Sequence, residues 1–250
     1  MKPSAETRTE LTDDKDALIA ALQSELEKVR QEMRSFSYSV SHDLRAPLRA
    51  IEGFTRILFE DYSAKLDDEG RKFLEHVLQN AQIMSGLIEG LLQYHRLNEK
   101  AVAKRAIDMT ELTREVVTAL PKTGEPEVTI PKLPTIAADP ALMRIAWEQL
   151  VSNALKFSKR SSKPSIEFGS DSRDGEHVLW VKDNGIGFDM NYSDKLFQMF
   201  QKLQKEPDFD GHGVGLALVR RVAEKHQGRA WAEGSLNKGS TFYFAVPKNA

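Results

Sequence analysis

From Leu22 onward the apolar residues of this chain fall at Leu22, Leu26, Val29, Met33, Phe36 and Val40, in alternating steps of four and three. A helix lines such residues up along one seam, and a seam of this period covers itself by pairing with another helix. The pattern therefore predicts a long helix that begins as a coiled coil. It runs on through Leu44, Leu48 and Ile51 with four-residue steps that relax the strict heptad, and Pro47 should bend the helix there or remove one of its hydrogen bonds. The polar residues before the seam, MKPSAETRTELTDDK, lack periodicity and read as a frayed lead-in.

A polar stretch over residues 60–70 reads as a turn, and a second helical pattern follows at Phe73, Val77, Ala81, Met84, Leu87, Leu91 and Tyr94. Two long helices joined by a short loop make an antiparallel hairpin. A lone hairpin buries too little apolar surface, so a homodimer closing a four-helix bundle is expected. After Asn98 the pattern changes. Helices are predicted over 109–120, 141–157 and 214–226, and strands over 165–169, 177–182, 229–232 and 241–246, which makes an α/β domain. The expected division is a lead-in and coiled-coil helix over 1–35, a hairpin domain over 36–100 and an α/β domain over 107–250. A polar loop over 202–213, with Pro207 and Gly211, is long enough to act as a lid.

Composition narrows the function. Lys and Arg number 35 against 37 Asp and Glu, a formal charge of −2, which argues against nucleic acid and against polybasic membrane anchoring. The absence of Cys excludes a disulfide scaffold, a thiolate zinc site and a Cys nucleophile. No apolar run reaches the ~18 residues of a membrane span and no signal peptide is visible, so a cytoplasmic location is expected.

Four constellations carry chemistry. In SVSHDLRAPL, His42 lies two residues from both Val40 and Leu44, so its ring points away from the seam toward solvent. Asp43 beside it could hold one ring nitrogen as N–H and leave the other as nucleophile or base, although a solvated surface pair has the same appearance. In WEQLVSNALKFS, Asn153 and Lys156 are three apart on a helix; an amide oxygen suits Mg²⁺ and an ammonium suits phosphate, while a plain solvated face is the alternative. In VLWVKDNGIGFDM a strand ends at Asp183, whose carboxylate can accept from an exocyclic amine, and Gly185 and Gly187 permit close approach of a flat ligand. A hairpin turn is the competing reading there. An EF-hand is not, because its obligatory glycine position holds Phe188.

The fourth constellation is GHGVGLALV, where Gly211, Gly213 and Gly215 precede an apolar helix and offer backbone N–H groups to an anion. A dinucleotide fingerprint fails because Leu216 stands at the third glycine, and no Gly-Lys-Ser/Thr completes a Walker loop. His76, His95, His177, His212 and His226 show no metal-ligand spacing and read as structural or exposed. Phe197 and Phe200 in KLFQMFQKL read as the core of a short helix.

Together and in this order the motifs resemble the sensor histidine kinases of two-component signalling, over about residues 36–247. SHDLRAPL is similar to their H box, WEQLVSNALKFS to the N box, DNGIGFD to G1, KLFQMFQKL to the F box and GHGVGLALV to G2. The wording of GIGFDMNYSDKLFQMFQKLQ and GSTFYFAVP is nearest to kinase modules of the phytochrome-like type. The resemblance implies a phosphoacceptor hairpin followed by a Bergerat-type ATP-binding sandwich. His42 would accept the γ-phosphoryl group of ATP with Asp43 polarising it, Asn153 would ligate Mg²⁺ and Lys156 would meet phosphate. Asp183 would take the adenine amine, Gly185 and Gly187 would line the adenine pocket, and Gly211, Gly213 and Gly215 would cradle phosphates. A response regulator receiver domain would be the recipient. Three departures stand out: Gln149 where many relatives carry Asn, Lys202 where an Arg often follows the F box, and Ala46 where phosphatase-competent relatives carry Thr or Asn. A non-catalytic phosphotransfer or scaffold protein is the alternative. The hairpin starts within about 40 residues of Met1, so the signal is expected from a sensory partner protein or from a sensor outside this chain.

Overall fold

A computed structural model describes residues 5–120, 126–203 and 211–248 of the chain. Helix α1 (Ala5–Tyr62) passes through a 3₁₀ turn (Ser63–Lys65) into helix α2 (Asp68–Glu99), forming the expected antiparallel hairpin. Asp67 caps α2 by accepting the Gly70 N–H at 2.8 Å. Two expectations change. Residues 5–15 belong to α1, because their Ala, Glu, Leu and Lys content favours helix even without an apolar stripe. Pro47 does not end the helix, which continues for a further four turns to Tyr62 although proline has no N–H to give its ladder.

The hairpin register follows from Ser85 donating to Glu52 at 2.6 Å and from the Arg34–Glu99 pair at 3.7 Å. Between these points, His42 stands level with residues 91–95 of α2. The outer faces stay uncovered in the single chain: Leu22, Leu26, Val29, Met33, Ile51, Phe54, Phe73 and Val77 are all exposed.

The second region comprises strands β1 (Arg105–Asp108), β2 (Glu127–Thr129), β3 (Thr135–Ala138), β4 (Ser165–Arg173), β5 (Glu176–Asp183), β6 (Arg229–Ser235) and β7 (Gly239–Pro247), with helices α3 (Met109–Ala119), α4 (Pro140–Ser158) and α5 (Gly215–Lys225). A five-stranded sheet runs β2-β4-β5-β7-β6, parallel only at β2–β4, and β1 pairs with β3 in a small antiparallel sheet. The helices cover one face of the large sheet. Phe168, Leu179, Val181, Phe242 and Phe244 meet Trp147, Leu150, Leu218 and Val222 in a continuous core. The Trp147 indole donates to the Thr113 hydroxyl at 2.8 Å, which donates onward to the Met109 carbonyl, so this buried polar pair is satisfied.

Strands β1, β2 and β3 were not expected, because each spans four residues or fewer among prolines and shows no alternation long enough to read. Phe197 is buried as expected, but Phe200 is 46% exposed with φ of +63°. The 3₁₀ segment Met190–Lys195 ends before it, and the Phe200 N–H donates to the Gly213 carbonyl at 2.7 Å instead of continuing a helix. The expected lid over 202–213 falls largely on residues 204–210, outside the described residues.

One buried node joins the two regions. Asp139 caps α4 by accepting from the N–H groups of Ala141 and Leu142, each at 3.0 Å, and also takes the Ala103 N–H and the Lys100 ammonium from the linker. Burial opposes its charge, but these donors outweigh burial and hold its pKa at about 2. The Asp139 N–H donates to His226 Nε2 at 2.9 Å while His226 Nδ1 donates to the Val222 carbonyl, which fixes a neutral imidazole whose pKa burial depresses.

Candidate nucleotide site

A cavity of about 470 Å³ lies between α4, the loop before α5, the loop after β5 with the start of β7, and α2. Asn153 and Lys156 of α4 both line it, one helical turn apart on the face expected from their spacing. Gln149 lines it one turn earlier, its Oε1 2.5 Å from where a Cβ on Gly215 would stand. The Lys156 ammonium lies over the Phe157 ring, 4.2 Å from its centroid, and beside Gly211.

Gly211, Gly213 and Gly215 all line the cavity, with the first turn of α5 directly behind them. Gly213 has φ of +69°, and a Cβ there would meet the Gln201 carbonyl at 2.7 Å, so this turn requires glycine. Gly187 also lines the cavity, with φ of +62° and a Cβ position only 1.9 Å from the Ser235 carbonyl. The loop geometry thus places unhindered backbone N–H groups at the start of a helix, where an anion is favoured.

Asp183 is not itself part of this lining: it ends β5 only 3% exposed, paired in register with the cavity residue Ser240. Its Oδ1 accepts the Gly185 N–H at 2.8 Å, and its Oδ2 is buried with no hydrogen-bond partner. Desolvation pushes the Asp183 carboxyl up to about 6 despite the N–H groups of Gly185 and Ser240. Gly185 does not line the cavity as expected. It sits behind Gly187, where a Cβ would meet the Phe157 carbonyl at 2.3 Å, and its function here is to cap Asp183.

His42 projects from α1 with 69% of its side chain exposed and its Nδ1 3.2 Å from Asp43 Oδ1. A carboxylate only accepts, so a hydrogen bond between them is donated by Nδ1, the tautomer in which a neutral ring leaves Nε2 with a lone pair. The pair stands apart from the cavity lining, although Gln93 of the cavity wall is at the same level along the hairpin. The lining also includes residues not expected from sequence. His212, read above as structural or exposed, faces the cavity between Gly211 and Gly213, a position that was itself the available signal. Gly86, Glu89, Gly90 and Gln93 come from α2 and had no signal, since only interdomain packing brings them here.

Two family models match the chain. The model of the His Kinase A (phospho-acceptor) domain matches residues 32–100, and that of the histidine kinase-, DNA gyrase B- and HSP90-like ATPases matches residues 138–250. The chain belongs to the sensor histidine kinase family. Cyanobacterial phytochrome A of Nostoc sp. is 32% identical to this family member over 236 residues, 92% of the chain and 30% of that protein. The methanogenesis regulatory histidine kinase FilI of Methanothrix harundinacea is 33% identical over 245 residues, 96% of the chain and 27% of that protein. The chain thus spans about 30% of the length of these relatives. The crystal structure of full-length ShkA in complex with AMPPNP shares the fold with a TM-score of 0.58 at 24% identity, over 84% of this chain and 45% of that one. Among the described residues, no helix is long and apolar enough to cross a membrane.

Proposed function

We propose that this chain is an ATP-dependent protein histidine kinase that phosphorylates itself on His42 and passes the phosphoryl group to an aspartate of a response regulator receiver domain. The observation that carries this reading is the convergence of Asn153, Lys156 and the Gly211, Gly213 and Gly215 loop on one cavity, whose α2 wall reaches the level of His42. ShkA, which shares the fold, binds a triphosphate analogue, and FilI is named as a histidine kinase.

Each residue has a role that follows from its chemistry. Asp183 Oδ2 accepts from the adenine amine, which supplies the partner that its buried position lacks. Lys156 and the loop N–H groups hold the phosphates, and Gly187 admits the base. The Asn153 and Gln149 amide oxygens fit a hard cation such as Mg²⁺ that arrives with phosphates, a donor set suited to partial rather than complete protein coordination. When bound there, Mg²⁺ supplies charge neutralisation across the phosphates. Asp43 keeps the proton on His42 Nδ1, so the Nε2 lone pair attacks the γ-phosphorus as the bond to ADP breaks. The exposed apolar seam from Leu22 to Met33 and the uncovered hairpin faces fit a homodimer closing a four-helix bundle. A cytoplasmic location and input from a sensory partner complete the reading.

Incubation of the purified chain with Mg-ATP should yield acid-labile, alkali-stable phosphate on the protein. Absence of such phosphate, with nucleotide bound, would favour the phosphotransfer scaffold instead.

A further inference from the structure

The chain has no Cys and seven Met, so thioethers are the only sulfur it can offer to an oxidant. Their surroundings differ. Met109 and Met143 are fully buried in the α/β core, and Met199 packs against that core. Met33 and Met84 are exposed on the hairpin. Met190 is 45% exposed in the α/β region, yet its sulfur is engaged: Sδ accepts the Gly234 N–H at 3.3 Å. That bond sits at the open side of the sheet, since β6 is an edge strand and the Gly234 N–H points outward from it. Met190 also opens the 3₁₀ segment Met190–Lys195, which Asp189 caps by accepting the Asn191 N–H at 2.9 Å.

The same end of β6 seats the cavity wall that precedes Met190. Phe188 lines the cavity and packs on Gly234, where a Cβ would come within 2.5 Å of Phe188 Cε1. Its ring centroid lies 6.4 Å from that of Phe242, another lining residue. Gly187 abuts the Ser235 carbonyl, and the Asn237 N–H donates to the Ile186 carbonyl at 2.7 Å. Residues 186–188 thus rest on the end of β6, and Met190 clasps them there from the solvent side. We propose that Met190 is an oxidation site through which peroxides weaken nucleotide binding. The sulfur lone pair attacks one peroxide oxygen, the O–O bond breaks, and the proton left on the transferred oxygen goes to the departing hydroxide. Thioether and hydrogen peroxide become sulfoxide and water. The acceptor is then the sulfoxide oxygen rather than the sulfur at which the Gly234 N–H points, and a polar group stands where an apolar one closed the edge. Phe188 loses its clasp, and the cavity wall loosens with it. Methionine sulfoxide reductases reverse the step. The effect on binding rests on reading the cavity as the nucleotide site, whereas the site of oxidation does not.

Hydrogen peroxide treatment of the purified full chain, followed by peptide mass spectrometry, should add one oxygen to Met190 well before Met109, Met143 or Met199. Mg-ADP affinity of that protein, measured by calorimetry, should be about three- to tenfold lower and should recover after incubation with methionine sulfoxide reductases. Hydrogen exchange should be faster over residues 186–190 and 230–236. Met190→Leu keeps an apolar side chain at the edge, so its affinity should lie within about twofold of wild type and stay there after peroxide. Met190→Gln, polar without any oxidant, should reproduce the loss. Oxidation of Met190 no faster than that of the buried methionines overturns the proposal. So does oxidised Met190 with unaltered exchange and affinity, or an equal peroxide-induced loss in Met190→Leu, which would move the effect to Met33 or Met84. If the untreated chain binds no Mg-ADP, the nucleotide reading falls by itself, and hydrogen exchange then decides whether oxidation of Met190 loosens Phe188.

Discussion

Asp183→Asn should move stability and nucleotide affinity in opposite directions at neutral pH. Asp183 is 3% exposed and its carboxyl is raised from 3.8 to about 6, a difference that corresponds to about 3 kcal/mol. A carboxyl raised by folding contributes stability that is fully present below its unfolded pKa and is lost as pH rises through its folded value. The wild-type chain therefore carries the full burial penalty at pH 8 and only part of it at pH 4.5. The substitution removes the charge. It keeps an oxygen for the Gly185 N–H but sets an amide N–H₂ at the buried Oδ2 position, which costs about 1–3 kcal/mol when unpaired. That second cost is the same at both pH values and cancels in the comparison. Relative to wild type, the variant should gain about 2 kcal/mol more unfolding free energy at pH 8 than at pH 4.5. Nucleotide affinity should fall by about 1–3 kcal/mol at pH 8, because a donor now faces the adenine amine. Wild-type affinity should itself weaken as pH drops below about 6, where Asp183 takes up a proton. Urea denaturation of the nucleotide-free protein at fixed concentration, with calorimetric titration of Mg-ADP, measures all three. Equal stability changes at the two pH values, or unaltered affinity at pH 8, would refute the argument.

His42→Gln should abolish phosphoryl incorporation with ATP affinity unchanged, because the exposed ring stands outside the cavity lining; labelling at the wild-type level would remove His42 as the acceptor. Val29→Asp with Met33→Asp sets like charges on a seam whose two side chains are 56% and 60% exposed in the single chain, so light scattering should report monomers or aggregates. A stable, fully active dimer would show that the hairpin alone dimerises. Ala46→Thr adds a hydroxyl one turn after His42 on the exposed side of α1, at a helix-propensity cost of only ~0.5 kcal/mol. It should speed dephosphorylation of the regulator, measured with ADP removed, and leave autophosphorylation largely intact. Rapid wild-type hydrolysis that the substitution does not alter would contradict a phosphatase deficit from the missing hydroxyl.

The long elements were legible in the sequence because their apolar period is local information. The seam at Leu22 to Val40, the repeat from Phe73 to Tyr94 and the α4 and α5 patterns each needed only their own residues to declare a helix. The spacing of Asn153 and Lys156 likewise set their common face, and both residues line the same cavity as Gly211, Gly213 and Gly215. Strands β1 to β3 were hidden because a strand of three or four residues owes its existence to a partner elsewhere, such as Ile136 opposite Ile107. Phe200 shows the same limit. Its aromatic ring argued for the core, whereas its backbone hydrogen bond to the Gly213 carbonyl turned it outward. Sequence order alone assigned Asp183 to a strand end, but its unmatched oxygen and elevated pKa come from the sheet and loops that enclose it. The same holds for α2 as a cavity wall. Gly86 and Gly90 carry no signal in a helix of otherwise ordinary pattern, and only the approach of His212 and Val214 across the domain boundary gives their missing side chains a purpose. Periodicity and motif spacing are properties of the chain, whereas desolvation and steric fit depend on which distant surfaces meet, and that was decided by tertiary packing.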